Sequence, residues 1–255
     1  MALTVDLTGT VVLVTGGSRG IGRGIAAAFV RAGATVITCG RSAADPDSAH
    51  RVRHTDGGHL VCDVRDPEAV EAMVATIVAK YGRLDVLVNN AGGAPSADAA
   101  TASPRFHDKI IGLNLTAPLL VAQVAHRAMT AGGGGGSIIN ITSISAHRPA
   151  PTIAAYAAAK AGLESLTRSL AMEWGPAVRV NAIEVGLCRT EQTDDHYGSD
   201  ERVAAIEATI PLGRMGTPEE VGNVAVFLAS PLASYVSGAS VGCHGGGEPP
   251  VFLYV

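Results

Sequence analysis

The stretch that decides the fold occupies residues 10–32 and reads TVVLVTGGSRGIGRGIAAAFVRA. It opens with a run of β-branched apolar residues, passes through a glycine-rich turn and continues as an alanine-rich segment of helical periodicity. Such a turn presents free backbone N–H groups at the start of a helix, and glycine lets a phosphate approach the main chain closely. The stretch therefore predicts a phosphate-binding βα unit, with Gly16, Gly20 and Gly22 in the turn.

The same alternation of apolar runs and helical segments continues along the chain. Strands are predicted at residues 10–15, 35–39, 59–62, 84–89, 137–142, 178–183 and 239–243. Helices are predicted at residues 20–32, 67–81, 103–129, 153–174 and 218–229. Strands that are apolar throughout are typical of sheets buried on both faces. The pattern predicts an α/β fold, with a doubly wound, mainly parallel seven-stranded sheet and helices on both faces.

No segment divides the chain, so residues 1–255 are predicted to form a single domain. Residues 132–136 are five glycines, but a helix is predicted before them and a strand after them. A flexible turn is therefore favoured over a phosphate cradle, because no helix follows on which an anion could sit. The crossover at residues 41–57 is polar and contains Pro46, which predicts a short or irregular helix.

Composition and charge exclude several classes of protein. Of the 255 residues, 47% are hydrophobic, a content that excludes a disordered chain. A net charge of −4 argues against a nucleic-acid partner, and no apolar run is long enough to span a membrane. The four cysteines lie far apart, which argues against disulfides and a structural zinc site. We expect a soluble, cytoplasmic protein without a metal.

The end of the second predicted strand indicates which dinucleotide the turn binds. An acidic residue at this place would bind the ribose 2′-hydroxyl of NAD, but the chain has Gly40 followed by Arg41. An arginine can make paired charge-assisted hydrogen bonds to a 2′-phosphate, and Arg19 in the glycine turn offers a second positive charge. The sequence therefore favours NADP over NAD. The alternative is that both arginines are solvated loop residues.

Tyr156 and Lys160 form the strongest candidate pair for catalysis. They lie four residues apart in an alanine-rich predicted helix, so both side chains project from one face. The chain has five tyrosines and three lysines, so such a pair is rare by chance. A tyrosine exchanges protons near neutral pH only when a nearby cation stabilises its phenolate, and Lys160 can be that cation. Ser143, just past a predicted strand, could hold a substrate oxygen.

With these residues in view, the chain resembles the short-chain dehydrogenase/reductase family. The resemblance spans residues 7–247 and includes the glycine turn and the tyrosine–lysine pair. Three further motifs match: Asn-Asn-Ala-Gly at residues 89–92, Leu-Asn-Leu around Asn114, and Cys-Asp-Val around Asp63. The resemblance implies a Rossmann-type fold and a catalytic tetrad of Asn114, Ser143, Tyr156 and Lys160.

The motifs and the resemblance together assign a set of residues to the cofactor. Most of them lie in the glycine turn or directly after predicted strands, where backbone can approach a dinucleotide. The resemblance implies that Asp63 contacts the adenine and that Thr190 contacts the nicotinamide carboxamide. The full set is Gly16, Ser18, Arg19, Gly20, Ile21, Gly22, Arg41, Asp63, Val64, Asn90, Ala91, Gly92, Tyr156, Lys160, Gly186 and Thr190.

The resemblance also implies a mechanism and an assembly. A hydride passes between the nicotinamide and a carbonyl carbon, and Tyr156 donates a proton to the carbonyl oxygen or removes it in the reverse direction. Ser143 positions that oxygen. Lys160 binds the nicotinamide ribose and lowers the tyrosine pKa, while Asn114 holds a water. Relatives in this family are commonly homotetramers, so we expect a homo-oligomer.

Besides the short crossover, two places depart from the family pattern. Where the family usually has Pro-Gly after the sixth strand, this chain has Val185 and Gly186, preceded by Glu184. The glutamate points either into the active site or into solvent, and solvent is the favoured interpretation. The tail at residues 244–250 replaces the ending common in the family, and it could pack at a subunit contact.

The substrate side of the site is expected to come from two segments. The region at about residues 187–213 folds over the substrate in this family, and its His196 and Tyr197 either select the substrate or lie on the surface. His147 and Arg148, in the loop after the fifth strand, border the same pocket. The first substrate hypothesis is a 3-oxoacyl thioester, and the second is a steroid or other alicyclic ketone. The alternative function is a nucleotide-binding regulator or scaffold without turnover, against which the intact tetrad argues.

Overall fold

The structure is a computed structural model, and it describes residues 4–43, 58–131, 133–191, 193 and 197–248. Its strands are β1 (Val11–Thr15), β2 (Thr35–Gly40), β3 (Gly58–Val61), β4 (Val86–Asn89), β5 (Gly136–Ser143), β6 (Val178–Val185) and β7 (Ser240–Cys243). They form one sheet in the order β3-β2-β1-β4-β5-β6-β7, and each pair of neighbours in it is parallel. The predicted doubly wound, seven-stranded sheet is confirmed.

Helices cover both faces of the sheet. They are α1 (Gly20–Arg31), α2 (Pro67–Tyr81), α3 (Pro104–Ile111), α4 (Ala117–Thr130), α5 (Ala154–Trp174), α6 (Asp200–Glu207) and α7 (Pro218–Ala229). A π-helical turn, Gly112–Thr116, joins α3 to α4. The prediction of one regular helix at residues 103–129 is therefore wrong in its middle. The helix α6 was not predicted, and it lies in the region expected to fold over the substrate.

Several helices begin at signals that their own sequence provides. Asp66 precedes α2, and its side chain accepts hydrogen bonds from the N–H groups of Glu68 and Ala69. Thr217 precedes α7 and forms a reciprocal capping box with Glu220. Both helices have proline in their first position, where its missing N–H has no cost. These local signals are the reason that the predicted helix starts agree with the structure.

Two apolar cores lie on opposite sides of the sheet. One core packs α2, α4 and the last part of α5 against one face, and the other packs α1 and α7 against the opposite face. In β1, Val11 and Leu13 face the first core, whereas Val12 and Val14 face the second. All five residues of β1 are buried, which explains its continuous apolar run.

The strand β1 is the point at which the chain changes direction across the sheet. Elements up to β3 build on one side of β1, and β4 with its successors builds on the other side. A crevice opens at the carboxyl ends of the strands at such a switch point, and ligands bind there in open α/β sheets. Thr15 ends β1 and Asn89 ends β4. The glycine turn and the Asn-Asn-Ala-Gly motif therefore meet at this crevice.

Some predicted features lie outside the described residues. They include most of the crossover at residues 41–57, Gly132 of the glycine run, His196 and the end of the tail at 249–250. Across the described ranges, the helices are too short or too polar to cross a lipid bilayer.

Candidate active site

The glycine turn follows β1 and leads directly into α1. Gly16 and Gly20 have φ values of +64° and +51°, a left-handed backbone conformation that glycine adopts without a steric penalty. The helix α1 starts with no acidic residue in its first turn and no side-chain cap. Its first N–H groups therefore depend on an anion from elsewhere, which is the arrangement of phosphate-binding helix starts.

Close packing behind the turn holds it in shape. A Cβ on Gly22 would lie 2.3 Å from the Gly16 carbonyl oxygen and 2.4 Å from Asn90 Nδ2. Asn90 Nδ2 donates to the carbonyl oxygens of Thr15 (2.9 Å) and Gly16 (3.2 Å). The N–H groups of Asn90 and Ala91 both donate to Thr15 Oγ1 at 3.0 Å. The Asn90 side chain thus supports the turn, and its contact with the cofactor stays a prediction.

Asn114 lies in the π-helical turn and is fully buried. Its Nδ2 donates to the carbonyl oxygens of Gly93 (3.0 Å) and Ile110 (2.9 Å), and its Oδ1 accepts from the Gly93 N–H at 2.9 Å. Single π-turns within helices are rare and frequently occur at functional sites. Both amide hydrogens of Asn114 have protein partners, so neither is left for the water that the resemblance implies.

Gly92 allows two members of the predicted tetrad to approach the end of β4. A Cβ on Gly92 would lie 2.7 Å from Asn114 Oδ1 and 3.3 Å from Lys160 Nζ. Lys160 Nζ donates to the carbonyl oxygen of Ile141 at 2.8 Å and lies 5.5 Å from the centre of the Tyr156 ring. Burial lowers the pKa of Lys160 to about 8, because the charged form has lost its hydration.

Ser143 ends β5, and Tyr156 lies in the first turn of α5. Ser143 Oγ accepts from the Ser145 N–H at 3.2 Å, and its hydroxyl is close enough to Tyr156 to influence the pKa of the phenol. Burial raises the pKa of Tyr156, and the hydrogen bond with Ser143 acts in the opposite direction. The pKa of Tyr156 is raised overall. The expected lowering of this pKa by Lys160 is therefore not seen in the protein without its cofactor. The structure nevertheless brings all four tetrad residues together.

The predicted 2′-phosphate site lies at the end of β2 and in the glycine turn. Arg19 and Arg41 are both exposed there. The carboxylate of Asp63 is ion-paired with Arg65 at 2.6 Å, and the hydrogen bonds from Arg65 lower the pKa of Asp63 to about 2. The charge of Arg41 makes a smaller contribution to the pKa of Asp63 in the same direction. The adenine contact of Asp63 stays a prediction.

His59 is a residue of this region that the sequence analysis missed. Its Nδ1 lies 3.0 Å from Thr38 Oγ1, and its Nε2 lies 2.9 Å from the carbonyl oxygen of Ser42. The ring also lies 3.3 Å from the position of a Cβ on Gly40. His59 therefore ties β3 to the chain that follows β2. Thr38 and His59 are directly opposite each other in the β2–β3 pair. Knowledge of this register would have been needed to predict the contact from the sequence.

The connection after β6 reaches the glycine turn. The Thr190 N–H donates to Thr193 Oγ1 at 2.7 Å, and the Thr190 methyl lies 3.9 Å from the position of a Cβ on Gly20. The structure thus brings Thr190 to the predicted phosphate site. A Cβ on Gly186 would lie 2.7 Å from the Cα and Cβ atoms of His244, so the backbone after β7 requires glycine here.

Three other positions contribute their side chains to the cores. Val185, which replaces the family's proline, is buried against α1 and α7. Ile21 packs against the same core, and Val64 is buried in the other one. A cofactor contact at Ile21 or Val64 would therefore come from the backbone. Both residues were predicted from their position in a motif, not from the chemistry of their side chains.

Glu184 does not point into solvent, so the favoured interpretation of this residue was wrong. Its side chain is 16% exposed, and its Oε2 lies 3.7 Å from His147 Nε2. The same His147 nitrogen lies 2.9 Å from Oε2 of the buried Glu164, whose Oε1 accepts from the hydroxyls of Thr142 and Ser240. The three ligand atoms lie within 4.8 Å of one another, and an imidazole with two carboxylates is a set that could hold a divalent cation. The expectation of no metal stays a prediction.

Arg148 and Tyr197 each have partners in the structure, and their place on the substrate side stays a prediction. Arg148 Nε lies 2.7 Å from Glu248 Oε2 in the tail. Tyr197 packs against the small apolar cluster of the region after β6. Burial raises the pKa of Tyr197 and Arg148 opposes this, while Tyr197 in turn influences Tyr156. Tyr197 is thus within electrostatic range of Tyr156, and Arg148 is within electrostatic range of Tyr197.

The residues of the crevice fit a dinucleotide. The start of α1 has no side-chain cap. Gly92 and the glycines of the turn have no side chains, so their backbone can approach a ligand closely. Two exposed arginines flank the end of β2 and the turn. These groups would hold a pyrophosphate and a ribose phosphate, while the tetrad lies at the opposite end of the crevice.

Comparisons with known proteins identify the family of the chain. The model of the family described as enoyl-(acyl carrier protein) reductase matches residues 16–247. The chain is 37% identical to 2-dehydro-3-deoxy-D-gluconate 5-dehydrogenase of Pseudoalteromonas atlantica, over 94% of this chain and 96% of that protein. It is also 37% identical to L-rhamnose 1-dehydrogenase (NAD(P)(+)) of Azotobacter vinelandii, over 96% and 97% of the two chains.

Solved structures share the architecture over almost the whole chain. Aldohexose dehydrogenase of Thermoplasma acidophilum superposes with a TM-score of 0.86 at 32% identity, covering 96% of each chain. A chain of Sinorhizobium meliloti 1021, assigned as a short-chain alcohol dehydrogenase, superposes with a TM-score of 0.87 at 36% identity, covering 96% of this chain and 98% of that one. The protein therefore belongs to the short-chain dehydrogenase/reductase family and is an NAD(P)-dependent oxidoreductase.

Proposed function

We propose that the protein transfers a hydride between NADP and a carbonyl carbon or secondary alcohol of a small polar substrate. The observation that carries this proposal is the meeting of Ser143, Tyr156 and Lys160 with Asn114 beside the crevice at the ends of β1 and β4. Their contacts supply a hydroxyl, a phenol and an ammonium group within one small region. NAD is the second candidate cofactor.

The tetrad side chains divide the proton chemistry between them. NADP, when bound, supplies or accepts the hydride. Tyr156 gives a proton to the substrate oxygen or removes it, and Ser143 holds that oxygen by a hydrogen bond. Lys160 binds the nicotinamide ribose, and its charge stabilises the phenolate when Tyr156 has lost its proton. Because burial keeps Tyr156 protonated at neutral pH, the resting site is prepared for proton donation during carbonyl reduction.

The test of the catalytic role uses Tyr156→Phe. The variant should still bind NADPH, because the ring remains and only the phenol oxygen is lost. Its turnover should fall by about 10²–10⁴-fold with any accepted substrate. Tyr235→Phe, at a fully exposed tyrosine, is the matched control. Equal activity of Tyr156→Phe and wild type would remove Tyr156 from its role. NADPH binding without turnover of any substrate in wild type would favour the regulator alternative.

The preference for NADP is supported by the absence of an acidic residue at the end of β2 and by the exposed Arg41 there. Arg41→Ala should raise the KM for NADPH by about tenfold or more, because a charge-assisted pair with the 2′-phosphate is lost. The KM for NADH should change less than about twofold. Arg31→Ala, at the exposed end of α1, is the control. An unchanged NADPH-to-NADH ratio in Arg41→Ala would contradict the preference.

We infer that the substrate is a sugar or sugar acid. Three of the four relatives named above act on 2-dehydro-3-deoxy-D-gluconate, L-rhamnose or aldohexoses by their names. Tyr197, which is within electrostatic range of both Tyr156 and Arg148, adds a polar group on this side. A 3-oxoacyl thioester is the second candidate, supported by the description of the matching family model. Nothing in the site specifically favours a steroid or other alicyclic ketone.

A substrate panel distinguishes these candidates. Sugars and sugar acids are offered with NADP⁺, and 3-oxoacyl thioesters and alicyclic ketones with NADPH, with absorbance of the reduced cofactor as the readout. The highest kcat/KM is expected for a member of the sugar group. A thioester or alicyclic ketone with the highest value would overturn the substrate proposal and leave the hydride-transfer proposal intact.

Two further proposals are a homotetrameric assembly, which family resemblance supports, and a cytoplasmic location, which the widely spaced cysteines support. A tetramer would have about four times the chain mass of 25.8 kDa. Light scattering after size-exclusion chromatography measures this mass directly. A monomeric mass at micromolar concentration would contradict the tetramer.

A further inference from the structure

The start of α1 is in contact with a carboxylate from a distant part of the chain. The Gly20 N–H donates to Glu191 Oε1 at 2.8 Å. Arg23, in the first turn of the same helix, lies with its Nη2 3.4 Å from Glu191 Oε2. The side chains of Arg23 and Glu191 are 23% and 29% exposed, so the pair is partly shielded from water. An anion of the protein itself therefore lies at the predicted phosphate site.

The sequence of α1 explains why this contact forms. The helix has no side-chain cap and no acidic residue in its first turn. Its first N–H groups and the positive end of its dipole are therefore open to an outside anion. Glu191, which is 171 residues away in sequence, supplies that anion. A helix that carried its own cap would not need Glu191.

The position of Glu191 is determined by the turn around it. It directly follows Thr190, whose N–H and carbonyl oxygen are both bonded to the Thr193 hydroxyl, at 2.7 and 2.8 Å. Thr193 is buried, and the Thr190 methyl lies close to Gly20. The hydrogen bonds between Thr190 and Thr193 therefore hold the backbone next to Glu191 beside Gly20.

We infer that the Glu191 carboxylate is an internal anion that competes with the pyrophosphate of the dinucleotide for the start of α1 and thereby limits the affinity for the cofactor. The inference rests on the proposed binding of the dinucleotide at the glycine turn. A pyrophosphate oxygen and Glu191 Oε1 are alternative acceptors for the Gly20 N–H. Even a displaced Glu191 keeps a negative charge near the negative pyrophosphate, and like charges repel across this short distance.

Glu191→Gln tests the inference because it removes the charge and keeps the shape of the side chain. The variant should bind NADPH about three- to tenfold more tightly than wild type, which is the size of a single charge effect at a helix start. Glu173→Gln, at an exposed glutamate near the end of α5, should leave the affinity unchanged. Fluorescence titration with NADPH measures both dissociation constants.

A ligand without a pyrophosphate provides an internal control. Adenosine 2′-phosphate, measured by competition with NADPH, should gain much less affinity in Glu191→Gln than NADPH does, because it lacks the pyrophosphate that competes with Glu191 for the Gly20 N–H. Equal or weaker NADPH binding by Glu191→Gln would overturn the inference. An equal gain for adenosine 2′-phosphate would also overturn it, because the effect would not depend on the pyrophosphate. If wild type binds no NADPH at all, the proposed function fails instead.

Discussion

Lys160 carries its ammonium group at a position that is only 3% exposed. Burial lowers the pKa of this group from 10.5 to about 8, which corresponds to a cost of about 3 kcal/mol for holding the charge in the folded protein. The hydrogen bond to the Ile141 carbonyl oxygen returns only part of that cost. The cation that the proposed chemistry needs therefore reduces the free energy of unfolding.

Lys160→Met should be as stable as wild type at pH 7, or more stable by up to about 2 kcal/mol, although it should lose activity. Below pH 8 both states of wild type carry the proton, so the cost is constant. Between pH 8 and 10.5 the unfolded chain binds a proton that the folded chain has released, so the stability of wild type rises relative to the variant. Urea unfolding at several pH values measures this difference.

The exposed Lys80 of α2 provides the control for that experiment. Lys80→Met should show no comparable dependence of its stability difference on pH. A stability difference between Lys160→Met and wild type that stays constant from pH 7 to 10 would show that the charge of Lys160 has no such cost.

At the scale of secondary structure, α1 and α7 pack so closely that two glycines have no room for a side chain. A Cβ on Gly24 would lie 2.3 Å from Pro218 Cβ and 2.4 Å from the Pro218 carbonyl carbon. A Cβ on Gly222 would lie 2.6 Å from Ala28 Cβ and 2.8 Å from the Gly24 carbonyl oxygen. Part of the glycine content of the chain therefore serves this helix contact rather than the cofactor.

Gly24→Ala should lower the free energy of unfolding by about 1–3 kcal/mol, because the new methyl group meets backbone that cannot move away. This loss should occur despite the higher helix propensity of alanine. Gly112→Ala is the matched control, since nothing lies within 4 Å of its Cβ position. Thermal and urea unfolding of both variants measure the effect. A Gly24→Ala protein as stable as the control would contradict the close packing.

Local signals predicted the strands of the structure to within two residues at each end. The π-turn was not predictable in this way, because it depends on the hydrogen bonds of Asn114 to Gly93 across 21 residues. His59 and Glu191 were missed for the same reason, since their partners lie far away in sequence. The prediction that Glu184 points into solvent failed because His147, its partner, lies far away in sequence. The residues next to Glu184 in β6 contain no signal for this contact.

At the scale of the whole molecule, the tail joins three parts of the substrate side. The Cα and Cβ atoms of His244 lie 2.7 Å from the position of a Cβ on Gly186, and the Leu212 N–H donates to the Gly245 carbonyl oxygen at 3.1 Å. The ion pair of Arg148 with Glu248 adds the loop after β5. The glycines at 245–247 all have positive φ, so this part of the glycine content serves the path of the tail.

Glu248→Gln should raise the KM for the second substrate by a few fold and leave the dissociation constant of NADPH unchanged. The reason is that Arg148, which is within electrostatic range of Tyr197, loses its ion-pair partner and with it a fixed position on the proposed substrate side. The pair is partly exposed, with side chains 35% and 40% accessible, so stability should change by less than about 1 kcal/mol. Steady-state kinetics with both substrates varied separates the two constants. A rise in the NADPH constant alone would contradict this role of the tail.

The central position of β1 has a consequence for how the protein folds. Its partner β2 follows after one helix, whereas Thr15 bonds to Val88 of β4 across 73 residues. Closing that longer loop costs more chain entropy, so the β1–β4 pairing is the slower step of sheet assembly. The crevice for the dinucleotide spans this pairing. A dinucleotide bound in the proposed crevice would therefore stabilise this long-range junction, and by mass action it would stabilise the native state as a whole.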